Sequence, residues 1–425
     1  MPLNNNHISS STTADFPQMI RIIFWNSFGF MFFGFIIPYV TSEYFEVNAS
    51  IIGILIASQP AGRLLILPLV GYLSDKASKK LLVMIGSFGR TISYTIFYFS
   101  IIFKSVIAFG IGIFIQGLLV GLFWVPCNVL IAEKSSKYYR SEAFGKRQGM
   151  VGYGSLAGAV ISFSLFTIGQ YVFNENPWIQ YSSMIIFALI NVFAGLRFMR
   201  RVDENLKYQE ERLPTSQGYD NILKTTQSSK NIITWGIILG LVFLSITVFF
   251  SSMNEHTTQP FIQVFMYDTL DLGTIYVMII IYCARIISLI AAPKLGVIAD
   301  KVGVVGFAIV SLVGALVTGI IISTTNTWLF ITLLLLDFTL ATAGQLISQN
   351  LFSRISLSHR GRIFGLVEIM NQVGWLIGPV IGGFLWVGFN PKMPFVFSII
   401  LELSLIPLFL IALRYLRDQL VERVH

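Results

Sequence analysis

Five charged residues, Arg63, Arg90, Arg285, Asp337 and Glu402, stand deep inside runs of apolar residues, and a sixth, Glu368, lies near the end of such a run. An ionised side chain at the centre of a membrane-spanning helix costs roughly 2.5–3.5 kcal/mol. Each therefore needs an opposite charge, a water-filled cavity, a ligand or an exchangeable proton. The chemistry open to such residues is charge recognition and proton transfer. The three acids all lie in the second half of the chain, so Arg63 and Arg90 have no acid within the first half to neutralise them. This leads to the expectation that Arg285 pairs with Asp337 when the site is empty and that Arg63 faces a central cavity. Protonation of Asp337 would then free Arg285, because a carboxylate beside a cation titrates differently once the pair breaks.

Other chemistry is excluded by spacing. No GxxxxGK[ST] phosphate loop occurs, so no built-in nucleotide drive is expected. Gly152-x-Gly154-x-x-Ala157 loosely matches a dinucleotide fingerprint, but it lies in an apolar helical run with no strand before it. The four histidines lack metal-ligand spacing, and His256 falls in what reads as an outer loop. Cys127 and Cys283 both sit in apolar runs, which indicates neither a disulfide framework nor a zinc site. No metal and no cofactor are expected. No facing pair of nucleophile and base marks an intramembrane enzyme, and the loops are too short for the output domain of a sensor.

The elements that must position these charges are helices in a bilayer. Of 425 residues 55% are hydrophobic and 12% charged, with mean hydropathy +0.74; a soluble protein carries about 25% charged residues. A spanning helix needs about 20 mostly apolar residues. Such runs recur at 19–42, 50–73, 81–103, 105–132, 150–173, 178–199, 232–253, 273–296, 304–325, 327–350, 363–388 and 394–417. Twelve spanning helices are predicted. The net charge of +8 is spread over short loops, which fits an anionic membrane face better than nucleic acid. With the N-terminus inside, 24 loop Lys/Arg fall on the cytoplasmic side and two, Lys104 and Lys392, outside. By the positive-inside rule both termini are cytoplasmic, and the protein is expected in the cell membrane.

Residues 1–18 are polar, without Lys or Arg, and read as a cytoplasmic tail with no cleavable signal. Residues 200–231 are the one long polar interruption and separate two six-helix bundles, 19–199 and 232–417, followed by a tail at 418–425. The halves repeat each other. Pro68-x-x-Gly71-x-x-x-Asp75-Lys76 recurs as Pro293-x-x-Gly296-x-x-x-Asp300-Lys301, and Arg140, Phe144, Gly145, Gly154 and Gly158 recur as Arg360, Phe364, Gly365, Gly374 and Gly378. Internal repeats flanking a midplane site are the common build of secondary transporters.

These residues resemble the major facilitator superfamily over nearly the whole chain. Gly71-Tyr-Leu-Ser-Asp75-Lys76-Ala-Ser-Lys79-Lys80 is similar to the family's loop signature between helices 2 and 3, with Ser78 where the family usually has Gly. The copy at Gly296 and Asp300 lacks the trailing basic pair. Glu133 followed by Arg140 resembles the acid-to-arginine spacing after helix 4. Phe28 through Pro38 looks most like the 12-helix drug-exporter branch. Gly374-x-x-x-Gly378-Pro379 resembles that branch's antiporter glycine motif but falls in helix 11, and Ile113 stands where exporters place a helix 4 arginine.

The resemblance implies an all-α fold of two six-helix bundles related by a pseudo-two-fold axis, moving a small solute by alternating access. It assigns gating to Gly71, Asp75, Lys79, Lys80, Arg140, Gly296, Asp300 and Arg360. It makes the helices of Arg90 and Glu402 peripheral, so these two are expected to be structural. Gly154, Gly158, Gly374, Gly378 and Pro379 are expected to let helices approach closely. On the family's cavity helices, the polar and aromatic residues Asn26, Phe30, Gln116, Trp124, Asn128, Trp235, Gln345, Asn371, Gln372 and Trp375 are candidate solute lining beside Arg63, Arg285 and Asp337. Proton-coupled export of amphiphilic compounds is one expectation; an organic-anion carrier using the midplane arginines is the other. The expected partners are a small-molecule substrate, protons or another coupling ion, and the bilayer, with no nucleic acid; the chain is expected to act as a monomer.

Overall fold

The computed structural model describes residues 12–136, 140–208, 235–353 and 360–416, without the side chains of residues 75, 140–141, 235–238, 289, 292–293, 296–304, 348–353 and 360–365. It is helical throughout and holds the twelve spans expected. Helix 1 is broken into Phe16–Asn26 and Phe30–Tyr39. Helices 2 to 6 follow as Ala49–Lys76, Lys79–Ile102, Val106–Glu133, Arg140–Tyr171 and Ser183–Arg201. In the second half, helix 7 is Trp235–Asp268, helix 10 Thr327–Ser353, helix 11 Arg360–Gly388 and helix 12 Met393–Leu416.

Helices 8 and 9 share one continuous stretch of helical backbone, Thr274–Ile321. At 1.5 Å per residue a straight rod of that length would run about 72 Å, more than twice the hydrocarbon thickness. It is not straight. Arg285 lies 5.7 Å from the ring of Phe338, and Thr318 lies beside the neighbouring Asp337. One short segment of helix 10 can touch both only if the chain reverses between them.

Helix 1 shows how local sequence sets the path. Ser27 donates back to the carbonyl of Ile23, and the helix breaks before Phe30. Pro38 has no N–H, so the carbonyl of Gly34 four residues earlier loses its helical partner. Gln263 of helix 7 supplies one, with Nε2 donating to the Gly34 carbonyl at 2.9 Å. Beyond the proline a turn of wider π-helix, Val40–Tyr44, follows, where Thr41 donates to the carbonyl of Ile37 and Ser42 to that of Pro38.

Four glycines lie where helices touch. A Cβ on Gly154 or Gly158 would overlap the carbonyls of Phe24 or Phe28, so helix 5 lies directly on helix 1. Gly374 and Gly378 meet Phe249 and Met253 of helix 7 in the same way. The two contacts are equivalent under the internal repeat.

On the side of the basic loops the first half is tied into a plate. Lys134 is fully buried, and its Nζ donates to Asp15 at 2.7 Å, to the Asp203 carbonyl and to the Leu206 carbonyl at 2.9 Å. Burial raises the Asp15 carboxyl, but hydrogen bonds from Lys134, Thr13 and the Asp203 backbone outweigh it and hold it below its ordinary value. Ser78 caps helix 3 and donates to Glu204 at 2.8 Å, which accounts for a serine where glycine is usual.

Candidate functional site

The two halves meet along helices 2 and 11, which run antiparallel. A Cβ on Gly53 would overlap the Pro379 carbonyl, and one on Gly383 would overlap that of Ala49. Ser50 Oγ donates to the Gly383 carbonyl at 3.3 Å. Helix 1 completes the seal through Gln263 on Gly34, Tyr39 against Tyr267 and Phe35 against Tyr282, both ring pairs about 6 Å apart. All of these contacts lie on the side away from the basic loops. Toward the basic loops, nothing among the described residues stands within 4 Å of a Cβ placed on Gly71, Gly145 or Gly149. Among the described residues, the contacts between the halves are gathered at the face away from the basic loops.

At the inner edge of the seal, Arg63 Nη2 meets Glu368 Oε1 at 3.0 Å, and Gln372 Nε2 donates to the same oxygen at 2.9 Å. Among the described residues this is the one ion pair that joins the halves. Arg63 was expected to lack a protein partner; the acid that neutralises it comes from the other half. The expected pair of Arg285 and Asp337 does not form. Arg285 instead packs along Gly34 and over Phe338, and its Nε is buried without a partner. Asp337 turns toward Thr318 of helix 9 and Glu402 of helix 12.

His256 corrects a second expectation. Helix 7 does not end near residue 253 but runs on to Asp268, so Glu255 and His256 belong to a spanning helix and not to an outer loop. His256 Nδ1 faces the Ser252 carbonyl, and its ring lies 4.9 Å from that of Trp375. Glu255 is exposed. The polar stretch Ser251–Gln259 hides these residues from a count of apolar runs, although an apolar segment resumes at Phe261.

The remaining candidates divide. Asn26 is fully buried and is helix glue: it donates to Ser87 and Asn191, and Arg90 donates to both its side-chain and backbone oxygens. Arg90 is thus structural, as expected, with Phe30 and Phe123 over its guanidinium. Gln116 is buried with Oε1 unpartnered. Trp124 faces Phe30 at 6.1 Å and lies under Arg147, which donates to Asn128 at 2.6 Å. The Asn371 backbone carbonyl accepts from Ser252, and Gln345 is exposed. Lys79 pairs with Glu133 at 3.4 Å, and the Lys80 N–H donates to Glu204; both contacts stay within the first half. The side chains of Asp75, Asp300, Arg140, Arg360 and Trp235, and the surroundings of Gly296, lie outside those described.

The sequence pattern of the Major Facilitator Superfamily matches residues 21–301 and 244–423. The chain belongs to that superfamily. Among solved structures it is similar to a bacterial homologue of the human lysosomal transporter Spinster, inward-facing and unoccupied, at 11% identity and TM-score 0.71 over 97% of this chain and 100% of that one. A D-xylose–proton symporter aligns at 15% identity and TM-score 0.69 over 92% and 96%. A proton-dependent oligopeptide transporter aligns at 14% and 0.68 over 95% and 99%. At these identities the likeness is one of fold. No protein in the curated set matches. The superfamily membership makes the chain a secondary transporter of small molecules and not an enzyme.

Proposed function

We propose that the chain is an ion-coupled carrier, caught here open to the cytoplasm, whose solute presents an anionic group to Arg285. The observation that carries this reading is the contrast between the two midplane arginines. Arg63 has a carboxylate at 3.0 Å, whereas Arg285 has no ion pair among the described residues; the Nε of each is buried without a partner. An uncompensated buried charge is costly, so a site that keeps one is a site for an anion. The cytoplasmic orientation rests on the 24-to-2 distribution of loop charges.

Coupling falls to Glu368. A proton on its carboxylate would release Arg63 and loosen the contact between the halves, whereas Asp337, turned away from Arg285, has no such leverage. The opposite mouth is gated by Asp75 and Asp300 with Gly71, Gly296, Arg140 and Arg360, as the family pattern implies. A second reading, export of amphiphilic compounds, is favoured by the aromatic wall of Phe30 and Trp124.

Proteoliposomes carrying an imposed pH gradient test the main reading. Transport of a small organic anion should follow the gradient and fall at least tenfold in Arg285→Gln. Wild-type anion affinity in that variant would overturn the anion site, and a Glu368→Gln protein still fully driven by the gradient would remove Glu368 from coupling.

A further inference from the structure

Lys146 and Arg147 are neighbours near the start of helix 5, but their side chains go different ways. Lys146 reaches back one turn to Glu142 at 2.7 Å. Arg147 packs on helix 4, where its Nη1 donates to Asn128 Oδ1 at 2.6 Å and its guanidinium lies 5.3 Å from the ring of Trp124. Phe144 of its own helix is 5.8 Å away, and Nη2 donates to Gln148 at 2.9 Å. All of these partners are neutral. Among the described residues no carboxylate oxygen comes within 4.0 Å of Arg147, and its Nε is buried without a partner. A basic side chain that only sets topology reaches out into water. Arg147 is held by two amides and two rings instead.

The same contacts fix where this guanidinium sits. Asn128 is one turn from Trp124 on helix 4, so the two share a face. Trp124 packs against Phe30 of helix 1 at 6.1 Å. One turn before Trp124, a Cβ on Gly121 would stand 3.9 Å from the stem of Arg63. Along helix 4 toward the basic loops the order is therefore Arg63, Trp124, Arg147. Arg147, Trp124 and Asn128 are each half-buried, so each keeps part of its surface accessible.

We infer that Arg147 is an anion-binding station of the first half, and that its ligand is an aryl carboxylate. A guanidinium carries two hydrogens on each Nη. Asn128 and Gln148 take one from each, and the two that remain can meet both oxygens of a carboxylate. The stack on Trp124 already holds the guanidinium plane, so little rotamer freedom is lost on binding. One positive charge suits a monoanion. A phosphate dianion would bring a second negative charge, and the nearest cation in sequence, Lys146, is already paired with Glu142. The rings of Trp124 and Phe30 offer apolar contact to a flat aromatic body. This station rests on its own contacts and not on the reading of Arg285, which lies in the other half.

The test uses the full-length protein in lipid nanodiscs and 4-bromobenzoate, whose bromine quenches indole fluorescence at contact range. Quenching should saturate and be reversed by benzoate. The matching bromobenzyl alcohol and bromobenzylamine should bind about tenfold or more weakly, since neither offers a carboxylate to the charged donor. Trp124→Phe should remove the saturable component while radiolabelled benzoate still binds. Arg147→Gln should weaken the probe about tenfold or more, and Arg147→Lys less, because it keeps the charge without the planar fork. Melting temperatures show which variants are folded; if Arg147→Gln is not, Trp124→Phe and Arg147→Lys still decide. Quenching that never saturates, that is as strong with the alcohol, that is unchanged in Trp124→Phe or that keeps wild-type affinity in Arg147→Gln would each overturn the station. Inorganic phosphate that displaces the probe at lower concentration than benzoate would overturn the carboxylate ligand. Arg285→Gln separates the two sites, because the Trp124 component should persist in it. Quenching lost in Arg285→Gln but kept in Arg147→Gln would overturn the station and leave the anion site at Arg285 standing.

Discussion

Arg63 and Glu368 join the two halves of the molecule 3.0 Å apart, ten residues along helix 2 from the close contact of Gly53 with Pro379 on helix 11. Their side chains are 23% and 44% exposed, and that exposure decides what the pair can do. In such a wet setting an ion pair is worth about 0.2–1 kcal/mol. It can bias the balance between two states, but it cannot lock one. The lock is the seal beyond it, where Gly53 and Gly383 bring the helix 2 and 11 backbones into contact. Glu368→Gln or Arg63→Gln should therefore shift the population toward the outward-open state by only about two- to fivefold. Spin-label distances across the outer mouth would measure this. A shift of a hundredfold would show that the pair is the lock after all.

The outer seal has a more decisive polar contact in Gln263 and Gly34. Pro38 leaves the Gly34 carbonyl without its helical donor, and Gln263 of helix 7 supplies one across the contact between the halves. Gln263→Leu should leave that carbonyl unsatisfied in the closed state, at a cost of about 1–3 kcal/mol, and push the protein toward outward-open. Pro38→Ala restores an N–H four residues after Gly34, so the double variant should recover most of the loss. A double variant no better than Gln263→Leu would show that the Gln263 contact matters for some other reason.

Both of these contacts join the halves, and neither could be read from the repeat. Helix count, close-packing glycines and family were legible because each depends on local pattern: apolar length, small residues four apart, a loop signature. The partner of Arg63 depends on the antiparallel register of helices 2 and 11, which pairs 49 with 383, 53 with 379 and 63 with 368. That register arises from packing between unlike halves. Glu255 and His256 were missed for a different reason. The polar stretch Ser251–Gln259 lies inside helix 7, so a search for apolar runs ends the helix there although its backbone continues to Asp268. Asn26 erred in the other direction, since a buried amide among Ser87, Asn191 and Arg90 has the same composition as a solute contact.

The corrected course of helix 7 changes how topology must be probed. Thr257, which reads as an outer-loop position in the sequence, is fully buried against helix 11 at Gly378. Asn390, exposed between helices 11 and 12, is the better external probe, and Lys207, exposed after helix 6, the internal one. In intact cells an impermeant thiol reagent should label a cysteine at Asn390 and spare one at Lys207 until the membrane is permeabilised. Labelling of Lys207→Cys in sealed cells would reverse the orientation.

Lys134 offers a separate test of the plate on the basic-loop side. Its ammonium is fully buried and held by the Asp15 carboxylate and two carbonyls from the segment after helix 6. These contacts tie the chain before helix 1 to the end of helix 4 and to residues 203–206, all within the first half. Lys134→Met keeps the volume but leaves Asp15 and both carbonyls without the donor; breaking a buried pair from one side costs roughly 3–5 kcal/mol, an upper bound here because Asp15 is 11% exposed. The melting temperature should fall clearly at neutral pH, while affinity for the solute proposed to bind at Arg285 stays within about twofold. The pH dependence follows from Asp15, whose carboxyl is held below 3.8 in the folded chain. A depressed carboxyl stabilises the folded state at pH values above its unfolded pKa, and that contribution is lost as the pH falls through the folded value. The gap in melting temperature between wild type and Lys134→Met should therefore be constant from pH 5 to 8 and narrow only in acid below about pH 4. A gap that already narrows near pH 6 would assign the stabilisation to a group other than Asp15.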